Sequence, residues 1–95
     1  MLHIVNKSPF QNDSFISCMA HAAESSTVLL IEDGGFAALK GSNVADHLSK
    51  AKVIALQSDV SARGIDANLA EGVELVDYAG FVDLVADNES VQSWV

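Results

Sequence analysis

The sequence predicts an α/β fold: a three-layer α/β/α sandwich around a mainly parallel sheet of about five short strands. Three observations predict it. Short β-favouring runs alternate with helical patterns along the whole chain. The runs Thr27–Ile31 and Lys52–Leu56 are nearly continuously apolar; strands that lack polar alternation belong to sheets covered on both faces. The 95 residues suit a single domain spanning 1–95.

Leu2–Val5 is the first strand, and Asn6–Asp13, with the only proline at position 9, is a loop. A helix over Ser14–Glu24 follows, with Asn12 and Asp13 as its caps. Thr27–Ile31 is the second strand, stopped by Asp33-Gly34-Gly35. A short helical piece covers Phe36–Lys40, Gly41 breaks it, and Ser42 or Asn43 caps another helix to Lys50. Lys52–Leu56 is the third strand. Ser58 or Asp59 caps a helical turn through Arg63, with Gly64 as its stop and an Asp59–Arg63 ion pair four residues apart. Val73–Val76 is the fourth strand. Asp77 caps a helix in which Tyr78, Phe81, Val82 and Val85 recur at helical spacing. Val91–Val95 is a last strand that brings Trp94 to one face.

Charge excludes several function classes. The formal net charge is -8, with only five basic side chains, scattered along the chain. Nucleic-acid binding needs clustered Lys and Arg, so direct contact with RNA or DNA is disfavoured, as is an anionic membrane surface. The hydrophobic fraction of 49% is high for a small acidic chain; excess apolar surface points to a protein partner. The absence of a long apolar segment or basic leader, and a single cysteine, fit a reducing, cytoplasmic setting.

The lone cysteine is the main chemical candidate. At roughly 100° per residue, Phe15, Ile16, Met19, Ala22 and Ala23 form one stripe, and Cys18 falls about 105° from its centre. That places the thiol at the border of the polar face, within reach from outside. His21 lies on the same side, about 60° away. An imidazolium neighbour and a helix N-terminus each favour thiolate. With no resolving cysteine, such a thiol suits carrying a single sulfur atom as a persulfide. The competing reading is a buried structural thiol, since free cysteine is among the most buried residue types.

Other chemistry has weaker support. Asn6-Lys7-Ser8, Glu32-Asp33-Gly34-Gly35 and Gln57-Ser58-Asp59 should meet at the carboxyl edge of the sheet, where ligands gather in parallel folds. The glycines there suit either a turn or close ligand approach, which keeps a free-standing small-molecule-binding domain as a reading. No phosphate-binding glycine motif and no hydrolase nucleophile motif is present. His3, His21 and His47 lie far apart with no second cysteine, so no metal and no cofactor are expected.

Several stretches together resemble the TusB/DsrH family of sulfur-relay subunits. They are Leu2-His3-Ile4-Val5-Asn6-Lys7-Ser8-Pro9-Phe10, Ile31-Glu32-Asp33-Gly34 with Ala37-Ala38, Asp59-Val60-Ser61-Ala62-Arg63-Gly64, Val76-Asp77-Tyr78-Ala79-Gly80-Phe81-Val82-Asp83-Leu84, and Val91-Gln92-Ser93-Trp94. The resemblance implies a DsrE/F/H-like domain in a heterohexamer, built with homologous TusC/DsrF-like and TusD/DsrE-like subunits. It also implies a TusE/DsrC-like sulfur acceptor. One branch relays persulfide sulfur toward 2-thiouridine at the tRNA wobble position; the other serves oxidative sulfur metabolism. In such complexes the main active cysteine belongs to the TusD/DsrE-like partner. Some TusB members lack a cysteine at the position of Cys18, whereas DsrH-type members have one, so the resemblance is closer to the cysteine-containing DsrH type. This leaves Cys18 either an auxiliary persulfide carrier, with His21 its thiolate-favouring neighbour, or part of a scaffold subunit with no sulfur carriage of its own.

Overall fold

In the computed structural model, which describes residues 1–22, 26–41, 48, 51–88 and 90–94, five strands form one sheet: β1 (Leu2–Val5), β2 (Thr27–Leu30), β3 (Lys52–Leu56), β4 (Glu74–Val76) and β5 (Val91–Trp94). Their order is β4-β3-β2-β1-β5, and every neighbouring pair is parallel. The helices are α1 (Ser14–His21), α2 (Gln57–Ala62) and α3 (Tyr78–Asp87), with 3-10 segments at Glu32–Ala38 and Asp66–Asn68.

Strand order dictates the layers. A right-handed crossover lies on a face set by its direction of travel. From β1 to β4 the chain always steps toward the same edge, so α1, the Glu32–Ala38 segment and α2 share one face. The connection from β4 back to β5 runs the other way, and α3 lies on the opposite face. The two cores follow this division. Phe15, Cys18, Met19, Ala37, Ala38 and Val60 bury against alternate strand residues Val5, Val28, Leu30, Val53 and Ala55. Leu2, Leu29 and Ile54 point the other way, toward Phe81 and Leu84 of α3.

Several boundaries differ from expectation. The first helix ends at His21, with Ala22 already extended at ψ 131°, rather than running to Glu24. The helical piece expected at Phe36–Lys40 begins four residues earlier, as a 3-10 turn that includes both glycines. Leu39 leaves it to bridge Leu69. The helix expected from Ser42 or Asn43 to Lys50, which carries His47, lies outside the described residues except for Leu48, which is buried in the larger core. On α3, Asp77 caps as expected, its Oδ1 accepting the Gly80 N–H at 2.8 Å. The stripe, however, is rotated: Phe81 and Leu84 face the sheet, while Tyr78 and Val82 stay exposed.

The end of α2 was legible. Gly64 has φ +69°. Its N–H reaches the Ser61 carbonyl, and the Ile65 N–H reaches the Val60 carbonyl, at 3.1 and 3.0 Å. These are the paired bonds of a Schellman motif, and Val60 and Ile65 pack in one core as that motif favours. A side chain at Gly64 meets no atom within 4 Å, so a substitution there costs backbone strain alone. Gly64→Val should destabilise the protein by about 1–2 kcal/mol. Thermal unfolding checks this; an unchanged midpoint refutes the left-handed stop.

Candidate functional site

Cys18 does not lie at an accessible border. It is 0% exposed, enclosed in the larger core. The expectation failed because Ile16 and Ala23 drew the stripe's centre away from Cys18. The helix stops before Ala22, Ile16 is 37% exposed, and the buried set on α1 is Ser14, Phe15, Cys18 and Met19. Around the axis, Cys18 is then only about 30° from the centre of the buried sector. Burial pushes its thiol pKa up to about 11, so the neutral thiol prevails near neutral pH.

His21 is engaged elsewhere. Its Nδ1–H donates to the Ser17 carbonyl at 2.8 Å, and its ring lies 5.5 Å from that of Trp94. Neither contact reaches Cys18, and burial is the cause of the raised thiol pKa. Trp94 has a second partner: its Nε1–H donates to His3 Nδ1 at 3.1 Å. His3 is therefore the Nε2–H tautomer. It is only 3% exposed, and burial, then the positive N-terminus and His21, lower its pKa below 6.5. Parallel pairing with Val5 sets Trp94 on the face of β5 that His3 shares on β1. The rings of His3, Trp94 and His21 thus join β1, β5 and the end of α1.

At the carboxyl edge the expected segments do meet. The Ile31 N–H donates to the Val5 carbonyl at 3.0 Å. Glu32 then adopts φ +50°, uncommon for a residue with a side chain, and its N–H donates to Asp59 Oδ2 at 2.6 Å. The expected Asp59–Arg63 pair is replaced. Arg63 Nε reaches Asp33 Oδ1 at 2.9 Å, and its guanidinium donates to the Asp59 backbone carbonyl at 3.2 Å. Asp59 is free to do this because α2 starts directly from β3 and uses no side-chain cap. The Asp-Val-Ser-Ala-Arg-Gly stretch therefore ties β3 to the turn after β2 and then stops its own helix.

Two features of this edge escaped the sequence reading. A Cβ on Gly34 would stand 2.1 Å from the Val5 carbonyl oxygen, so this glycine admits the chain's own backbone. Asn6 Oδ1, beside it, is buried with no hydrogen-bond partner. Outside them a cleft of ≈ 280 Å³ is lined by Ser8, Phe10, Gln11, Asp33 and Phe36. Among the described residues its lining holds no thiol, imidazole or cation. Among the described residues no three metal-ligating side chains come together, and no helix is long and apolar enough to cross a membrane.

Comparison with known proteins gives a consistent result. The family described as "DsrH like protein" matches residues 7–91. Protein TusB of Escherichia coli strain K12 is 34% identical over 96 residues, covering 99% of this chain and all of that protein. The counterpart in Escherichia coli O81 is 33% identical over the same span. Among solved structures, the YchN protein of Escherichia coli superposes with a TM-score of 0.81 at 18% identity, covering 98% of this chain and 97% of that one. Tm0979 of Thermotoga maritima gives 0.68 at 26% identity, covering 95% and 97%. These structural likenesses are to the fold.

Proposed function

Because the chain belongs to the DsrH-like family, we propose that it is a subunit of a sulfur-relay complex that passes persulfide sulfur toward 2-thiolation of the tRNA wobble uridine. In this reading it assembles in the cytoplasm with TusC/DsrF-like and TusD/DsrE-like subunits and serves a TusE/DsrC-like acceptor. The full-length likeness to TusB favours this branch over oxidative sulfur metabolism.

Within the complex its role is architectural. The observation that carries this is the burial of Cys18, 0% exposed with a pKa of about 11. Receiving sulfur requires a thiolate that a donor persulfide can approach in line. Cys18 offers neither condition, and His21 is turned to Trp94. The thiol fills the gap between α1 and the sheet, while the sulfur-bearing cysteine resides on a sister chain.

Two measurements test the two halves of the reading. Deleting the gene should remove 2-thiouridine from bulk tRNA, read by nucleoside mass spectrometry, and the native gene should restore it; unchanged thiouridine overturns the relay assignment. Cys18→Ala should restore it equally and leave the transfer rate of the reconstituted complex unchanged. The native thiol should also resist iodoacetamide at pH 8 until the chain unfolds. Loss of transfer in a folded Cys18→Ala variant, or a persulfide on Cys18 in the native complex, overturns the architectural role.

A further inference from the structure

One side chain anchors β5. The strand lies at the edge of the sheet and is joined to it through β1 alone. Val91, Gln92 and Ser93 are exposed. Trp94 is the residue of β5 that is partly buried and packs against the larger core. Its indole N–H is aimed at His3 Nδ1, 3.1 Å away on β1. At the strand's start the Leu2 N–H donates to the Ser90 carbonyl at 3.0 Å. Asn88, just before it, is tied to α3, its side chain donating to the Leu84 carbonyl at 2.7 Å. β5 can therefore part from β1 without α3 moving.

The anchoring bond exists in only one protonation state. Neutral His3 keeps its proton on Nε2 and accepts at Nδ1; the imidazolium carries a proton on each nitrogen and accepts nothing. Two donors would then face each other at a site where His3 is 3% exposed. The indole offers His3 its N–H edge rather than its π face, so no cation–π attraction offsets the clash. The titratable groups that bear on His3 are the Met1 amino group, just before β1, and His21 at the end of α1. Both disfavour a second positive charge. The described residues of β2 and β5, which flank β1, carry no ionisable side chain, so no carboxylate across either pairing neutralises it.

We propose that β5 is a proton-released strand: when His3 takes up a second proton, Trp94 loses its acceptor and β5 detaches from β1, while β1 to β4 remain paired. In the released form His3 is solvated and titrates near its ordinary 6.5; in the docked form burial holds it lower. The released form therefore binds protons more readily. Docking is firm above pH 6.5 and weakens as pH falls toward the docked value. From pH 7.5 to 5.5 the released fraction should rise by up to about tenfold. Release bares the edge of β1, a row of unpaired backbone N–H and C=O groups. The device is local to this chain and independent of the relay-subunit reading.

Amide hydrogen exchange of the full chain at pH 7.5 and 5.5, corrected for the intrinsic pH dependence of exchange, tests this. At both pH values the amides of 91–94 should exchange well before those of β2 and β3, through local opening. Their protection should fall about three- to tenfold at the lower pH. His3→Asn, whose amide oxygen keeps an uncharged acceptor for the indole, should abolish that pH dependence. His21→Gln should keep it, which separates His3 from the other ring beside Trp94. In the native chain, β5 amides that exchange only together with those of β2 and β3 overturn the proposal, as does protection that ignores pH. Dependence that survives in a folded His3→Asn variant, or that vanishes in His21→Gln, overturns it as well.

Discussion

Replacing Gly34 by alanine should cost about 3–5 kcal/mol, a large part of the stability of a small domain. The added Cβ would lie 2.1 Å from the Val5 oxygen and 2.8 Å from its carbonyl carbon, both backbone. Val5 is at the end of β1, an interior strand of the sheet, and its carbonyl already accepts the Ile31 N–H at 3.0 Å. The turn must therefore move away from β1, and the carboxyl edge, with the Glu32–Asp59 and Asp33–Arg63 bonds, opens with it. Gly41→Ala is the control. Gly41 has φ +78° and open space around it, so it should lose only about 1–2 kcal/mol of backbone strain. Urea denaturation of the two variants measures the difference; equal losses refute the close approach.

Trp94→Ala should cost about 2–3 kcal/mol, less than for a fully buried tryptophan because Trp94 keeps some exposure. It removes both ring contacts and leaves His3 Nδ1 without its donor. The loss falls on β5, an edge strand joined to the sheet only through β1. A pH dependence accompanies it. His3 has a pKa of 6.5 unfolded and a lower one folded, so between those values the unfolded chain binds more protons. This contribution is fully present above pH 6.5 and is lost as pH falls through the window toward the folded value. Native stability should therefore fall as pH drops below 6.5, and Trp94→Ala, by admitting water to His3, should flatten that slope. A native stability that rises on acidification through this window would contradict the buried neutral histidine.

Much of the fold was open to reading from local chemistry. The apolar runs of β1, β2 and β3 declare covered strands without reference to anything distant. Asp77 and Gly64 mark helix ends through their own side chain and φ. Boundaries slipped where tertiary contact outweighs propensity. Glycines 34 and 35 look like a stop, yet they bury within a 3-10 turn because β1 and α2 press against them.

The candidate site was less legible, for a physical reason. Helical spacing fixes the angle between Cys18 and its neighbours, but not which side of α1 meets the sheet. That depends on where the helix ends and on what Phe15 and Met19 find to pack against. A rotation of the buried sector by tens of degrees turns a reachable thiol into a core atom. The same holds for α3, where periodicity marked an apolar stripe but only packing decided that Phe81 and Leu84 go inward while Tyr78 and Val82 stay out. The bonds from Trp94 to His3 and from Glu32 to Asp59 join residues 91 and 27 positions apart. The chain alone determined its family, its alternating architecture and its acidity, because these are sums over local residues. Exposure and pKa were decided only in three dimensions, because each depends on what the folded chain brings alongside.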